Sequence, residues 1–155
     1  MLKLVSIICA LIIFITGCGT NIESIDYFYG DDTTTNFRAT FSVREVGDDM
    51  QFELSLTNEG NEKALIQFPS GQQFEIIVKD EENQVVYRFS EGRMFTMAIV
   101  MKEIEPGETL VWVDEWKEAK QGMYTVIGEL QIMSINNETV DRNQFRIDKK
   151  VSYEK

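Results

Sequence analysis

The chain has 155 residues, of which 26 are acidic, 15 are lysine or arginine and none is histidine, and its formal net charge is −11 at pH 7. A chain this acidic lacks the basic surface that nucleic-acid binding requires. Without histidine it also lacks the commonest general base and a common metal ligand. The sequence contains no phosphate loop, nucleophile elbow or metal-ligand spacing. We therefore expect a binding protein and not an enzyme, with no cofactor, no metal and no nucleic-acid partner.

The chain begins with the pattern of an export signal. Lys3 is the only charged residue before Glu23, and residues 4–15 are apolar except for Ser6. A transmembrane helix needs roughly 20 apolar residues, so this run is too short to span a bilayer. It has the length and the positive start of a secretory signal. We predict that residues 1–17 form a cleaved signal peptide.

The residues that end this run, Ile15-Thr16-Gly17-Cys18, resemble the lipobox of bacterial lipoproteins. In that family the cysteine thiol is joined to diacylglycerol, and a dedicated peptidase cuts just before it. The resemblance implies cleavage between Gly17 and Cys18, lipid on Cys18, and attachment to the extracytoplasmic face of the cell membrane. Two acyl chains make such attachment stable. The alternative is a short uncleaved anchor with an incidental cysteine.

Residues 18–36 are predicted to be the lipidated cysteine followed by a flexible tether, because they are mostly small and polar. As a flexible coil, the segment after Cys18 would span roughly 23 Å. Its apolar residues, Ile22, Ile25 and Tyr27-Phe28-Tyr29, are unusual for a tether. They leave open an edge strand or a segment packed on the domain. The only other cysteine, Cys9, lies within the signal, so the domain would have no disulfide and would be held by packing alone.

Residues 37–155 are predicted to form the folded domain, because apolar and polar side chains alternate along several of its segments. Alternation places one face of a strand in a core and the other in water. Turn-forming residues such as Gly47-Asp48-Asp49 and Pro106-Gly107 separate the segments. This pattern favours an all-β antiparallel sandwich. The expected core residues are Phe37, Ala39, Phe41, Val43, Phe52, Leu54, Leu56, Phe74, Ile76, Val78, Tyr124, Val126, Leu130, Ile132, Phe145 and Ile147.

Two segments depart from simple alternation. Residues 110–113 are apolar on both faces, which is typical of a central strand. Residues 114–121 are the best candidate for a short helix of one or two turns. Within these segments Trp112 is expected in the core, whereas Trp116 is left open between a core position and a half-exposed one.

The acidic groups at 31–32, 48–49 and 80–82 lack the alternating spacing of a calcium loop and are interpreted as solvated turns.

The middle of the chain resembles the BsuPI-type intracellular proteinase inhibitors of bacilli. The resemblance covers roughly residues 41–130 and rests on the order and spacing of several short pieces. These are Ser70-Gly71-Gln72, the strand at 74–78, the acidic turn at 80–83, Val86-Tyr87-Arg88, Ser90-Glu91-Gly92, Phe95-Thr96, Pro106-Gly107-Glu108, a tryptophan at 112 or 116, and Gly122-Met123-Tyr124-Thr125. Met97 departs from the pattern, since a polar residue is expected there. The resemblance implies an immunoglobulin-like β-sandwich and a role in inhibiting serine proteases.

The segment "YRFSEGRMF" at 87–95 is the candidate partner-binding loop. Large arginine, methionine and aromatic side chains of this kind are enriched in interface cores. The alternative is a structural β-hairpin with a Ser-Glu-Gly turn and its aromatic side chains packed inward. An inhibitor must hold such a loop rigid before binding, because ordering it costs affinity. The candidate residues are Arg88, Phe89, Ser90, Glu91, Gly92, Arg93, Met94 and Phe95.

Taken together, these observations predict a lipoprotein anchored through Cys18, outside the cytoplasm, whose β-sandwich binds another protein. The alternative is an inhibitor of subtilisin-like serine proteases, which rests on the family resemblance.

Overall fold

The computed structural model describes residues 26–28 and 36–154, so the predicted signal peptide and the lipidation site at Cys18 lie outside the described residues. The described part of the chain contains β-strands and one short 3-10 helix. The strands are β1 (Asp26–Phe28), β2 (Phe37–Val46), β3 (Asp49–Asn58), β4 (Ala64–Phe68), β5 (Phe74–Lys79), β6 (Val85–Arg88), β7 (Val100–Ile104), β8 (Thr109–Trp116), β9 (Gly122–Leu130), β10 (Ser134–Ile135), β11 (Glu138–Thr139) and β12 (Arg146–Tyr153), with the 3-10 helix at Arg142–Phe145.

The strands form three four-stranded sheets with the orders β1-β2-β3-β8, β12-β9-β5-β6 and β11-β10-β4-β7. Every pairing is antiparallel. The last two sheets form one layer, because β4 leads into β5 while their antiparallel partners, β10 and β9, follow each other in the opposite direction. Two backbone hydrogen bonds of 2.8 Å, from Gln131 to Gln73 and from Met133 to Gln67, join the strands across the gap between these sheets. Strand β1 pairs with β2. It is the edge strand that the apolar residues of the predicted tether suggested as an alternative to a flexible coil.

The first sheet packs face to face on the other two, which gives a β-sandwich with one core. All the core residues predicted from alternation are buried. The layers approach closely at Gly128 of β9, where an added Cβ atom would lie 2.9 Å from Phe41 and 3.0 Å from Leu54 of the opposite sheet. The residue must therefore be glycine for steric reasons, although its φ is not in the left-handed region.

The prediction of a central strand at 110–113 is wrong. Strand β8 lies at the edge of its sheet and, among the described residues, pairs only with β3. Trp112 is buried in the core as expected, but Val111 and Val113 are 53% and 52% exposed. β-Branched residues favour strands whether or not they are buried, so two outward valines produced a pattern that is typical of a buried strand.

The short helix predicted at 114–121 is also wrong. Residues 114–116 complete β8, and a turn follows in which Glu118 has a φ of 52°. Asp49 stabilises this turn: its carboxylate accepts from the Glu118 backbone N–H at 2.9 Å and pairs with Lys117 Nζ at 2.9 Å. These contacts come from a distant strand, so the local sequence does not reveal them.

Candidate functional site

The candidate residues lie on the irregular loop 89–99, which joins β6 to β7. Strand β6 pairs with β5 and β7 pairs with β4, so both lie along the same edge of one layer. The loop therefore lies at this edge, next to residues 69–73, which connect β4 to β5. Arg88 is the last residue of β6, and the other candidates, Phe89 to Phe95, belong to the loop.

The hairpin expected at 87–95 does not form, because no strand follows the turn. The turn itself is present: the Glu91 N–H donates to the Arg88 carbonyl at 3.2 Å, and Gly92 has a φ of 70°. Beyond it, residues 94–98 have no regular structure. The segment is a protruding loop and not a β-ribbon.

Phe89 anchors the start of the loop in the core. Its side chain is 7% exposed, and its ring centroid lies 4.1 Å from that of Phe74 and 5.8 Å from that of Phe95. Its backbone N–H donates to the Ile76 carbonyl at 2.9 Å. The inward packing of aromatic side chains expected for a structural segment is therefore confirmed for Phe89, while Phe95 is half-buried against it.

A buried carboxylate, Glu75 on β5, holds the next part of the loop. Its Oε1 accepts from the backbone N–H groups of Ser90 and Ile76, each at 3.1 Å. Its Oε2 accepts from Gln72 Nε2 at 3.1 Å and lies 3.9 Å from a guanidinium nitrogen of Arg88. These partners compensate a carboxylate that would otherwise be costly to bury. They also join the loop to β5 and to the segment before it.

A second carboxylate, Asp114 on β8, holds the loop from the opposite sheet. The Tyr87 hydroxyl donates to its Oδ2, and Arg93 donates to its Oδ1 at 2.9 Å. The Asp114 side chain is only 8% exposed. The Arg93 guanidinium also lies over the Phe89 ring, 4.1 Å from its centroid. Arg93 is therefore held on two sides, by an ion pair and by a cation–π contact.

The far side of the loop is tied to the segment between β4 and β5. The Gly71 N–H donates to the Thr96 carbonyl at 2.8 Å. A Cβ atom at Gly71 would lie 2.6 Å from Thr96 Oγ1, so any larger residue would force Thr96 to shift. Two short pieces that are separate in the sequence, Ser70-Gly71-Gln72 and Phe95-Thr96, thus meet at the base of the loop.

The anchored loop presents apolar side chains to solvent. Met94 is 99% exposed, Met97 is 90% exposed and Ile99 is 54% exposed. Met94 stands between Arg93, which Asp114 holds, and Phe95, which packs on Phe89. A rigid base that carries exposed apolar side chains is suited to binding another protein, because little order remains to be imposed on complex formation.

The tryptophans do not form a binding groove. Trp112 is buried, with its indole N–H donating to Gln73 Oε1 at 3.1 Å. Trp116 is half-buried, with its ring 5.8 Å from that of Tyr87 and 5.4 Å from that of Tyr124. Both rings pack on other aromatic side chains of the sandwich.

Within the described ranges, no three acidic or cysteine side chains come together as a possible metal site. No helix in the described part of the chain has the length and apolar character needed to cross a membrane.

The pKa of the Tyr87 phenol is raised well above its usual value, first by burial and then by the hydrogen bond to Asp114. The folded protein therefore holds this proton more tightly than the unfolded chain does. The resulting stabilisation is fully present below about pH 10, the ordinary pKa of tyrosine, and is lost as the pH rises further. We expect the free energy of unfolding to fall as the pH rises above that value.

Denaturant unfolding between about pH 9 and about pH 11 would measure this fall, and the Tyr87→Phe variant should show a shallower one. Tyr124, whose pKa burial also raises, stays in the variant and accounts for a remaining slope. An identical slope in the variant and the wild type would contradict the role assigned to Tyr87.

Comparison with known proteins identifies the family. The family model described as BsuPI, intracellular proteinase inhibitor, matches residues 37–135, a range that includes β2 to β10 and the whole loop. The search of curated proteins finds no match.

Several solved structures are similar to the chain at low identity. The yjhA protein of Bacillus subtilis is 18% identical, with 85% of this chain and 96% of that chain covered and a TM-score of 0.43. The KRT10-binding region domain of the pneumococcal serine-rich repeat protein PsrP is 9% identical, with 84% and 97% covered and a TM-score of 0.40. A β-glucuronidase of Bacteroides uniformis is 11% identical over 73% of this chain, with a TM-score of 0.41, and the chain spans only 12% of its length.

At such low identity these structural similarities say nothing about activity. The family match is different in kind, because it covers more than half of the 155 residues. The chain belongs to the BsuPI family of intracellular proteinase inhibitors.

Proposed function

We propose that this protein inhibits a subtilisin-like serine protease by presenting loop 89–99 to it. The proposal is supported by membership of a proteinase inhibitor family, which is non-catalytic. The observation that carries it is the combination of a fixed base and an exposed apex: Met94 is 99% exposed between two residues that are held in place.

The loop meets the physical requirement for tight inhibition without a disulfide. Ordering a flexible loop on binding costs about 0.5–1.5 kcal/mol for each immobilised side chain. Here Phe89, Ser90, Arg93 and Thr96 are already held by contacts with three different strands or their connections. The loop would therefore enter a complex with much of this cost avoided.

Titration of the purified full-length chain, kept soluble with a mild detergent, against subtilisin would test the proposal. We expect stoichiometric loss of protease activity while the chain stays intact on a denaturing gel. Unchanged protease activity at micromolar inhibitor would contradict it. The broader hypothesis, that the sandwich binds some other envelope protein, would then be tested by affinity capture from intact cells against a control carrying only the lipid anchor.

We further propose that the inhibitor acts outside the cytoplasm, attached to the membrane by lipid on Cys18. The sequence "ITGC" at 15–18 supports this, together with the apolar run and Lys3 before it. The acidic domain would be repelled from an anionic membrane surface. A flexible connection from Cys18 would let the domain stand away from that surface.

The Cys18→Ser variant is expected to remain as an unprocessed precursor without lipid, because serine offers no thiol for diacylglycerol transfer. Metabolic labelling with a radioactive fatty acid would show the label in the wild type and none in the variant. A Cys9→Ser variant is the matched control and should be labelled like the wild type. Labelling and membrane attachment of the Cys18→Ser protein would rule out the proposed anchor.

A further inference from the structure

We infer that Met94 enters the primary specificity pocket of the target protease, and that the targets are proteases which accept a long, unbranched apolar side chain there. This inference rests on the proposed inhibitory function and adds to it the class of partner. It excludes proteases that require a basic residue, although the candidate segment 88–95 carries two arginines.

The two arginines are the other side chains that could enter a protease pocket, but both are already held by contacts within the domain. Arg88 belongs to β6 and lies 3.9 Å from the buried carboxylate of Glu75. Arg93 pairs with Asp114 at 2.9 Å and lies over the Phe89 ring. Moving Arg93 into a protease pocket would break both contacts and leave Asp114, which is only 8% exposed, without its charge partner. A buried carboxylate without a partner is strongly unfavourable.

The aromatic residues of the loop are also unavailable. Phe89 is buried in the core, and Phe95 packs on it with their ring centroids 5.8 Å apart. Withdrawing either ring would expose apolar surface that the fold has buried. The free large side chains are those of Met94, Met97 and Ile99, with exposures of 99%, 90% and 54%.

Met94 differs from the other two because the residues on both sides of it are held by their side chains. Arg93 precedes it and is fixed by Asp114; Phe95 follows it and is fixed by Phe89. Met97 has a fixed neighbour on one side only, since Thr96 is hydrogen-bonded to Gly71 whereas Ala98 and Ile99 are exposed. A residue that is to be inserted into a pocket needs a fixed backbone, because a small displacement loses the fit.

The chemistry of methionine defines the partner. Its flexible thioether side chain fills apolar pockets of varied shape. Burying it from full exposure should strengthen binding by roughly 10- to 100-fold. A pocket with a carboxylate at its base would instead have to bury that charge beside an apolar group without compensation. The predicted targets are therefore proteases with an open apolar pocket, such as subtilisin, and not proteases of trypsin specificity.

Inhibition constants of the full-length chain against subtilisin and trypsin would test the assignment, with Met94→Lys, Met94→Leu and the matched control Met97→Lys. We expect the wild type to inhibit subtilisin and not trypsin. Met94→Lys should weaken inhibition of subtilisin roughly 10- to 100-fold and create inhibition of trypsin. Met94→Leu should remain close to the wild type. Met97→Lys, which changes another exposed side chain of the same loop, should weaken inhibition of subtilisin less than Met94→Lys does and should create no inhibition of trypsin. All three variants should fold, because the replaced side chains are exposed.

The possible failures can be told apart. If the wild type inhibits subtilisin but Met94→Lys does so equally well, Met94 is not the specificity residue and the inhibitory function stands. If Met97→Lys and not Met94→Lys changes the specificity, the assignment moves to Met97 and this inference is overturned. If the wild type inhibits neither protease at micromolar concentration, both the proposed function and the inference drawn from it are wrong.

Discussion

Replacing Phe89 with alanine is expected to lower the free energy of unfolding by about 3–5 kcal/mol and to convert loop 89–99 from an inhibitory loop into a protease substrate. Phe89 is 7% exposed and packs on Phe74 at a centroid distance of 4.1 Å. Alanine would leave a cavity at this position. It would also remove the ring that Arg93 and Phe95 contact, so both neighbours of Met94 would lose a support.

Two measurements separate the effects of Phe89→Ala on stability and on function. Denaturant unfolding gives the change in free energy. Incubation with subtilisin at a temperature where the variant is still folded then shows whether inhibition persists or the chain is cut within the loop. We expect inhibition that decays as cleavage proceeds, because a loose loop can adopt the geometry needed for hydrolysis and release.

Phe95→Ala is the matched control, since it removes the same ring from a half-buried position on the same loop. Phe95→Ala should lower the free energy of unfolding less than Phe89→Ala does, because less of the Phe95 side chain is buried. A Phe89→Ala protein that stays an intact and stoichiometric inhibitor would show that the core contact of the loop is irrelevant to inhibition. Equal losses of stability in both variants would contradict the role of Phe89 as the anchor.

The sandwich was largely predictable from the sequence, because alternation is a local property of each strand. Residues such as Phe41, Leu54 and Val126 lie in the core as the alternation predicts. The errors at β8 have a physical origin. Val111 and Val113 have the β-branched side chains that favour strands, but whether a strand is central or at an edge depends on its neighbours. The position of a strand within its sheet is set by the whole fold and cannot be read from a local sequence pattern.

The candidate loop was located by residue type, but the residues that hold it were missed. Glu75 lies in an apolar strand at a position where alternation predicts exposure, but it is buried and accepts a hydrogen bond from the Ser90 N–H of the loop. Asp114 follows the apolar part of β8, in the segment where the sequence pattern predicts a short helix. Each joins segments at least 15 residues apart in the chain. The sequence signal that remains is an acidic residue beside apolar strand residues, which is too common to identify a site.

The structure places Met97, which departs from the family pattern, on the surface of loop 89–99. Met97 is 90% exposed on the same loop as Met94, so a polar residue there would be equally well solvated. Nothing in the fold requires methionine at this place. The difference from the pattern therefore concerns the surface offered to a partner and not the stability of the domain.

Replacing Asp114 with alanine is expected to weaken inhibition of subtilisin roughly 10- to 100-fold while lowering the free energy of unfolding by only about 1–2 kcal/mol. Asp114 joins the loop to the opposite sheet through the Tyr87 hydroxyl and the Arg93 guanidinium. Alanine would leave the Tyr87 hydroxyl without its acceptor, which accounts for the modest loss of stability. Arg93 is 44% exposed and can turn to water, so its charge would remain solvated. The residue before Met94 would then keep only its contact with the Phe89 ring.

Asp148→Ala is the matched control for Asp114→Ala. Asp148 also pairs with an arginine, Arg146, at 3.0 Å, but it is 50% exposed and lies on β12. An exposed pair of this kind contributes little to stability, and its loss should leave inhibition unchanged. The comparison holds the type of substitution constant and varies the burial of the carboxylate and its contact with the loop. If both variants inhibit like the wild type, the tie between Asp114 and Arg93 does not organise the loop. The apex must then be held by Phe89, Glu75 and the contact of Gly71 with Thr96 alone.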